Sequence, residues 1–315
     1  MYNEALAYHR RIENDLGMAY ARAAIGVTLI RTGQLAGAEE RFREVLTLSR
    51  KFARRDLEAA LLDNLAWILW VRGDLPAAGK TAEEAAAISR QTGQKRFVAF
   101  HLFTLGTIAR ERGDLAAART MHEESLALRN ETGQKGRAAE SQIELARIAI
   151  EEGNAADAEI LIRKASNELG AEGIVDEEAN AVSVLIQALV AQGKLANTGQ
   201  ILDRARALSS RSECVFRRLQ VAFAIAGLDA ALGGTAKARK ELESVLSAAE
   251  RASFYSLQLD ARLALGQMEM RSEQTASGRA RLETLEAEAT AKGYGLIARK
   301  AAEARAAGPQ IRPGP

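Results

Sequence analysis

Apolar and small residues recur along this chain in a fixed register, and that register predicts its architecture. A leucine-type residue is followed by a small residue, and a glycine comes eight positions after the leucine, as in Leu105, Gly106 and Gly113. The glycine recurs every 40 residues in six successive units, and the seventh expected position is held by Glu273. A period between about 20 and 50 residues predicts a repeat architecture in which similar units stack on one another. The glycines in register are Gly33, Gly73, Gly113, Gly153, Gly193 and Gly233.

Each period is predicted to contain two helices, which we call helix A and helix B. In the third period, helix A is predicted over residues 96–112 and helix B over residues 115–132, with Gly113 and Asp114 between them. The apolar positions of helix A follow the spacing of about 3.6 residues that is typical of a buried helix face. Glycine can adopt the left-handed conformation that ends helix A, and aspartate can cap the free amides of helix B. The residues expected to cap neighbouring B helices in the same way are Asp74 and Asn154.

The small residues of the register have a packing explanation. Two helices can cross closely only where a glycine or alanine lets their backbones approach. We expect Gly106 on helix A and Ala118 on helix B to meet at such a crossing. A bulky side chain at either position would overpack the crossing, at a cost of about 1–3 kcal/mol.

The small residue, the Gly-Asp-Leu turn and the alanine five residues after the turn glycine together resemble the tetratricopeptide repeat (TPR) family, in a longer 40-residue form. The resemblance covers about residues 18–292, or seven units in register. Most units lack the family's helix A aromatic, and none has the proline that often ends helix B. The resemblance implies an all-α, right-handed superhelical solenoid of about seven antiparallel helical hairpins, with extra N- and C-terminal helices.

The start of the chain predicts half a unit before the first complete one. The sequence from Glu4, Glu-Ala-Leu-Ala, matches the helix B sequence from Glu124, Glu-Ser-Leu-Ala, three periods later. This helix is either an N-terminal cap or part of a longer array. Its apolar Ala5, Leu6 and Ile12 favour the second alternative, because caps should be polar outside. The predicted divisions are residues 1–17 (N-terminal helix), 18–292 (solenoid), 293–307 (C-terminal capping helix) and 308–315 (disordered tail).

Composition narrows the environment and the class of partner. The net charge is only +2, so neither nucleic acid nor a membrane surface is an expected partner. The single cysteine fits a reducing compartment. The sequence shows neither a signal peptide nor about 18 consecutive apolar residues, so we expect a soluble cytoplasmic protein.

No constellation of residues in the sequence predicts catalysis. None of the histidines, His9, His101 and His122, stands at metal-ligand spacing from another histidine or from Cys214. No phosphate-binding glycine loop is present. We therefore expect no enzymatic activity, no metal and no cofactor.

The inner face of the A helices is the candidate binding surface. Its positions lie 13, 10, 6 and 3 residues before each turn glycine, a spacing that keeps one helical face. Both tryptophans fall on this face, where aromatic side chains would form an apolar recognition patch. Arg110 and Arg147 would bind a carboxylate or backbone carbonyls. The alternative is that the aromatic residues are core. The candidate groove residues are Tyr20, Asp63, Trp67, Trp70, Phe100, Phe103, Arg110 and Arg147.

The predicted function is non-catalytic binding of a protein or peptide in the concave groove. By resemblance, such arrays are the sensing or scaffolding part of larger bacterial regulators. The carboxylate-clamp type that binds chaperone tails is disfavoured, because Phe100 and Thr104 stand where basic residues would be needed. Two alternatives stay open, namely self-association into a homo-oligomer and a small-molecule sensor with an aromatic pocket.

Overall fold

A computed structural model describes residues 2–272 and 274–307, and within these residues the chain forms sixteen α-helices and no β-strand. Glu273 and the tail predicted at residues 308–315 lie outside the described residues. The helices are α1 (Tyr2–Arg11), α2 (Asp15–Arg31), α3 (Leu35–Lys51), α4 (Arg55–Val71), α5 (Leu75–Gln91), α6 (Lys95–Arg112), α7 (Leu115–Glu131), α8 (Lys135–Glu151), α9 (Ala155–Glu172), α10 (Val175–Ala191), α11 (Gly199–Arg211), α12 (Val215–Ala231), α13 (Thr235–Arg251), α14 (Tyr255–Met270), α15 (Thr275–Ala291) and α16 (Gly295–Ala306).

Seven antiparallel hairpins, from α2–α3 to α14–α15, stack in chain order, with α1 and α16 at the two ends. The predicted helical solenoid is therefore confirmed. In the third unit, α6 and α7 each agree with the predicted helix to within one residue at either end. The first hairpin begins at Asp15, before the predicted division at residue 18. No helix in the described part of the chain is both long enough and apolar enough to cross a bilayer.

The turn between helices A and B has the expected left-handed glycine in six units, and the expected side-chain cap in two of them, within the described residues. Gly113 ends α6 with a φ of 87°, in the left-handed region that glycine adopts at little cost. Asp114 then caps α7, because its Oδ1 accepts a hydrogen bond of 3.0 Å from the amide of Ala117. Asp74 caps α5 in the same way. The prediction for Asn154 was wrong, since its side chain makes no capping hydrogen bond to α9.

The close crossing between helices A and B brings the small residue against a different partner from the one predicted. A Cβ on Gly106 would lie 2.8 Å from Nε2 of His122, so the residue that requires the glycine is His122 and not Ala118. His122 lies sixteen positions after Gly106, and Leu282 follows Gly266 at the same spacing. In these two units the helix B partner of the glycine is a large residue. The same pairing in the first unit joins Gly26 and Phe42.

The contribution of His122 to stability is expected to fall when the pH is lowered from about 7 to about 5, because His122 is buried without a partner for either ring nitrogen in the described structure. Burial lowers the pKa of His122 to about 4 from its ordinary value of 6.5, although Glu144 raises it and Arg110 and Arg129 lower it further. Between these pKa values the unfolded chain binds more protons than the folded one. Each pH unit of acidification in that window costs up to about 1.4 kcal/mol.

Denaturant unfolding of wild type and His122→Leu across this pH range measures the effect. Leucine occupies the equivalent position in the last two hairpins, as Leu242 and Leu282, so it should fit beside a small residue. Burial raises the pKa of Glu111 to about 7, which stabilises the folded state on acidification and opposes the histidine. The difference between the two proteins isolates His122, and equal pH slopes would contradict the prediction.

The solenoid turns far enough that its C-terminal helices pack against its second and third hairpins. The hydroxyl of Tyr294 donates a hydrogen bond of 2.6 Å to the backbone oxygen of Trp70. Lys300 of α16 pairs with both carboxylate oxygens of Glu151 at 2.7 and 2.9 Å. A Cβ at Gly295 would overlap the carbonyl oxygen of Arg112. The groove expected from the sequence is therefore closed on one side into a central cavity.

Candidate ligand-binding cavity

The A helices and α16 surround a central cavity of about 750 Å³. One helical face of each of α4, α6, α8, α10, α12 and α14 supplies its lining, as the spacing of inner positions predicts. The lining combines aromatic side chains, ionic side chains and neutral hydrogen-bonding groups. A concave site of mixed apolar and polar lining is the usual form of a ligand-binding pocket.

The aromatic wall of the cavity is a cluster from two distant parts of the chain. The Trp67 and Trp70 rings meet edge to face at 6.2 Å, and Phe216 of α12 contacts them at 5.8 and 6.2 Å. Both indoles are half-buried, and each packs on one side against the hydrophobic core. They therefore share in core packing while lining the cavity. The indole nitrogen of Trp70 is buried with no hydrogen-bond partner in the described structure.

A buried ionic network extends across the cavity from α6 to α10. Arg110 and Arg147 flank Glu144, with nitrogen-to-oxygen distances of 3.3 and 3.2 Å. Arg110 also pairs with Glu111 at 2.7 Å, and Arg147 donates a hydrogen bond of 2.6 Å to Asn180. Burial acts to raise the pKa of Glu144, yet the two arginines hold it below its ordinary value. Because both guanidinium groups have protein partners, a ligand carboxylate would have to displace a glutamate to bind them.

Five of the eight candidate residues line the cavity together. These are Trp67, Trp70, Phe103, Arg110 and Arg147.

Asp63 belongs to a buried hydrogen-bond network and not to the cavity lining. Its carboxylate is 2.9 Å from Nδ1 of His101 and accepts a hydrogen bond of 3.0 Å from Thr104. Nε2 of His101 lies 3.0 Å from the hydroxyl of Ser89. Asp63 is only 2% exposed, because α6 packs over it. Its expected place on the groove surface is therefore corrected to a position between α4, α5 and α6.

Phe100 and Tyr20 also lie away from the cavity lining, and each of them contacts an arginine. The guanidinium of Arg137 lies 5.5 Å from the centre of the Phe100 ring. Tyr20 is 42% exposed, and its hydroxyl accepts a hydrogen bond of 2.6 Å from Arg54. These two aromatic residues are therefore not part of the patch formed by the tryptophans.

The opposite wall of the cavity comes from residues that the sequence analysis did not select. Phe216, Arg217 and Lys300 reach the cavity because the C-terminal helices pack back on the second and third hairpins. Local periodicity carries no signal for that packing. The sequence pattern does place Asp260 on the inner face, because Asp260 stands 13 residues before position 273, where the turn glycine of the seventh unit is expected. The described residues bring no group of three or more histidine, cysteine or acidic side chains together as a metal site.

Solved structures with the same fold include several repeat proteins of low sequence identity. A Rap protein in complex with competence and sporulation factor superimposes with a TM-score of 0.58 at 10% identity, over 92% of this chain and 97% of that one. BtubC from P. vanneervenii gives 0.53 at 18% identity over 67% of this chain and 89% of its own. Yeast Tom70 gives 0.53 at 14% identity over 93% of this chain and 65% of its own. At these identities the likeness shows the fold alone.

Sequence comparison identifies the family. A search of curated proteins finds no relative of this chain. The family model of the MalT-like TPR region matches residues 3–294, which span all seven hairpins. The match confirms the TPR resemblance drawn from the register of small residues and turn glycines. The chain therefore belongs to the family of MalT-like TPR regions.

Proposed function

We propose that this chain is a non-catalytic recognition module that binds a short peptide in its central cavity. The observation that carries the proposal is a cavity of about 750 Å³ whose aromatic wall stands beside neutral polar side chains that can hydrogen-bond a ligand. Protein recognition is the usual role of TPR-type repeats, and the fold neighbour Rap is named in complex with a factor. By the same resemblance, the module would serve as the sensing part of a larger regulator.

The neutral polar groups of the lining suit a peptide backbone. Gln220 of α12 lines the cavity with its side-chain amide. Gln187 and Gln267 also line the cavity, and each carries an amide that can both donate and accept. Each hydrogen bond between these amides and a peptide backbone would contribute about 0.5–1.5 kcal/mol to binding.

The size of the cavity selects among partners. Pockets of about 300–1,000 Å³ hold compact ligands and exclude folded domains. A short extended segment fits this space, and side chains of the segment would pack on Trp67, Trp70 and Phe216. The same volume also suits a small apolar molecule, which is the second candidate. Self-association is less favoured, because the aromatic wall faces the cavity and not the outer surface.

Filling the cavity from within tests the proposal. Gly227 lines the cavity, and a Cβ built there meets no atom within 4 Å, so Gly227→Phe should place a ring in the cavity without disturbing the packing. Gly199 is the matched control, because its Cβ also meets nothing but it lies on the exposed start of α11. We expect wild type and Gly199→Phe to retain peptides from a random synthetic pentapeptide mixture in native mass spectrometry, and Gly227→Phe to retain none.

The single cysteine gives an independent readout, because Cys214 lines the same cavity. Burial raises the pKa of its thiol, so alkylation should be slow, and a bound peptide should slow it further. Equal peptide retention by Gly227→Phe and wild type would place the site elsewhere. Retention of a non-peptide mass by the purified wild type would favour the small-molecule candidate.

A further inference from the structure

The ionic side chains of the cavity are nearly, but not completely, balanced. Six acidic and five basic side chains line it, one more acid than base. Glu144 and Glu111 pair with arginines of the network, and Glu151 pairs with Lys300. Asp176 lies 3.1 Å from Arg31, and Glu177 lies 3.0 Å from Arg217. Five acids are therefore neutralised by cations of the protein.

Asp260 is the remaining acid. No hydrogen-bond donor or cation of the described residues lies within bonding distance of its carboxylate, although ten of the other lining residues are ionic. It stands on the cavity face of α14, four residues after Ser256 and seven before Gln267. Burial raises the pKa of Asp260 above its ordinary value, while Lys300, Arg110 and Arg147 lower it and Glu151 raises it. The charged carboxylate therefore lacks the direct ion pair that each of the other five acids has.

An unpaired carboxylate in such a place weakens the fold. Asp260 is half-buried, and the raised pKa of its carboxyl means that the folded state disfavours the ionised form. A ligand cation would remove this cost, because a charge-assisted hydrogen bond forms in a site shielded from solvent. Among peptide groups, only an amino terminus or a basic side chain supplies such a cation.

We propose that the peptide bound in this cavity carries a protonated amine and that Asp260 is its counter-ion. The inference rests on the proposed function, since it names the chemistry that the cavity selects. The ammonium group replaces the missing partner of Asp260, and the aromatic wall receives the apolar part of the ligand. The source of the amine is either the amino terminus or a lysine side chain, which are distinguished below.

Three dipeptide amides test the proposal on the full chain. Phenylalanyl-phenylalanine amide with a free amino terminus carries a terminal cation. Acetylated phenylalanyl-lysine amide carries a side-chain cation, and acetylated phenylalanyl-phenylalanine amide carries none. Binding is measured by slower alkylation of Cys214 and by the fluorescence of Trp67 and Trp70, which are the only tryptophans of the chain. At least one cationic dipeptide should bind about 10- to 100-fold more tightly than the neutral one, and the better cation identifies the source.

The variant Asp260→Asn should remove the preference for the cation while leaving the affinity for the neutral dipeptide unchanged. Its stability should equal or exceed that of wild type, because a half-buried carboxylate without an ion-pair partner is lost. The variant Asp203→Asn is the control, since it removes one acidic charge from the exposed face of α11, outside the cavity lining, and should keep the preference. A cation preference that survives in Asp260→Asn, or none in wild type, would overturn the assignment. If the neutral dipeptide binds to wild type and does not bind to Gly227→Phe, the proposed function is still supported. If no dipeptide protects Cys214 from alkylation, both proposals are overturned.

Discussion

Glu140→Gln is expected to lower the free energy of unfolding by about 1–3 kcal/mol, because it leaves a buried arginine without its counter-ion. Burial raises the pKa of Glu140 to about 6, so the removal of its charge offsets part of the loss. Arg129 of α7 is 1% exposed and is among the largest fully buried side chains of the described residues. Its Nη2 lies 3.3 Å from Oε2 of Glu140, and its Nη1 donates to Ser141 at 3.0 Å and to the backbone oxygen of Arg137. Burial lowers the pKa of Arg129 to about 10, so it is still charged near neutral pH. Glutamine keeps the size of the side chain and removes only its charge.

Arg129 also supports the cavity wall. Its guanidinium lies 4.6 Å from the centre of the Phe103 ring, in the position of a cation–π contact. Phe103 faces the cavity on its other side. Loss of the Glu140 charge should therefore disturb both the core of the third and fourth hairpins and the aromatic lining.

A double-mutant cycle separates the charge from general disruption. Arg129→Leu places at this position the residue that the next unit has, Leu169, which is also buried. When both charges are removed, no buried ion is left unpaired, so the double variant with Glu140→Gln should be at least about 1 kcal/mol more stable than Glu140→Gln alone. Denaturant unfolding of the four proteins gives the coupling energy. Additive losses would show that the two charges do not compensate each other.

The sequence predicts the repeat but does not predict the contacts of Arg129, because these contacts depend on how neighbouring helices pack. Two positions that stand twelve residues apart pair with each other across the connection from helix B to the next helix A. The pair that begins in the second unit is Ser89 and His101, and the equivalent pair 40 residues later is Arg129 and Ser141. In both units the two side chains are joined by a hydrogen bond of 3.0 Å, but the large residue has moved from one end of the pair to the other. Each position looks irregular when it is compared with the same position in other units. The pair keeps its complementarity, and only the structure shows which positions meet.

The cavity illustrates the same limit on a larger scale. The inner positions of the A helices follow from a helical face, so Trp67, Trp70 and Phe103 could be placed from the sequence. Asp63 stands on the same predicted face, but α6 packs over it, because the face is wide enough to include residues at the contact between neighbouring A helices. Lys300 could not be placed, because its position depends on how far the whole array turns. That turn is the sum of small rotations between hairpins and has no signature in any one unit.

Tyr294→Ala is expected to lower the free energy of unfolding by about 3–5 kcal/mol, the range for truncating a buried aromatic side chain. Tyr294 is fully buried between α16 and the end of α4, and its ring contacts Tyr255 edge to face at 5.7 Å. Tyr294→Phe keeps the ring and loses only the hydrogen bond to the Trp70 carbonyl, so it should cost about 1 kcal/mol. That carbonyl keeps a hydrogen bond from Gly73 within its own turn. Thermal and denaturant unfolding of the two variants measure the difference.

Tyr294→Ala should also speed the alkylation of Cys214 in the cavity. The reason is that the cavity is closed by the packing of the C-terminal helices on the second and third hairpins, which Tyr294 supports. Gly295→Ala tests the same contact without touching the core, because its Cβ would overlap the Arg112 carbonyl while its backbone conformation stays helical. Gly199→Ala is again the matched control, at the open start of another helix. Both Tyr294→Ala and Gly295→Ala should expose Cys214, and Gly199→Ala should not. If Tyr294→Ala loses stability but the alkylation rate of Cys214 does not change, the cavity stays closed without the Tyr294 contact. The aromatic cluster of Trp67, Trp70 and Phe216 would then be sufficient to enclose the cavity.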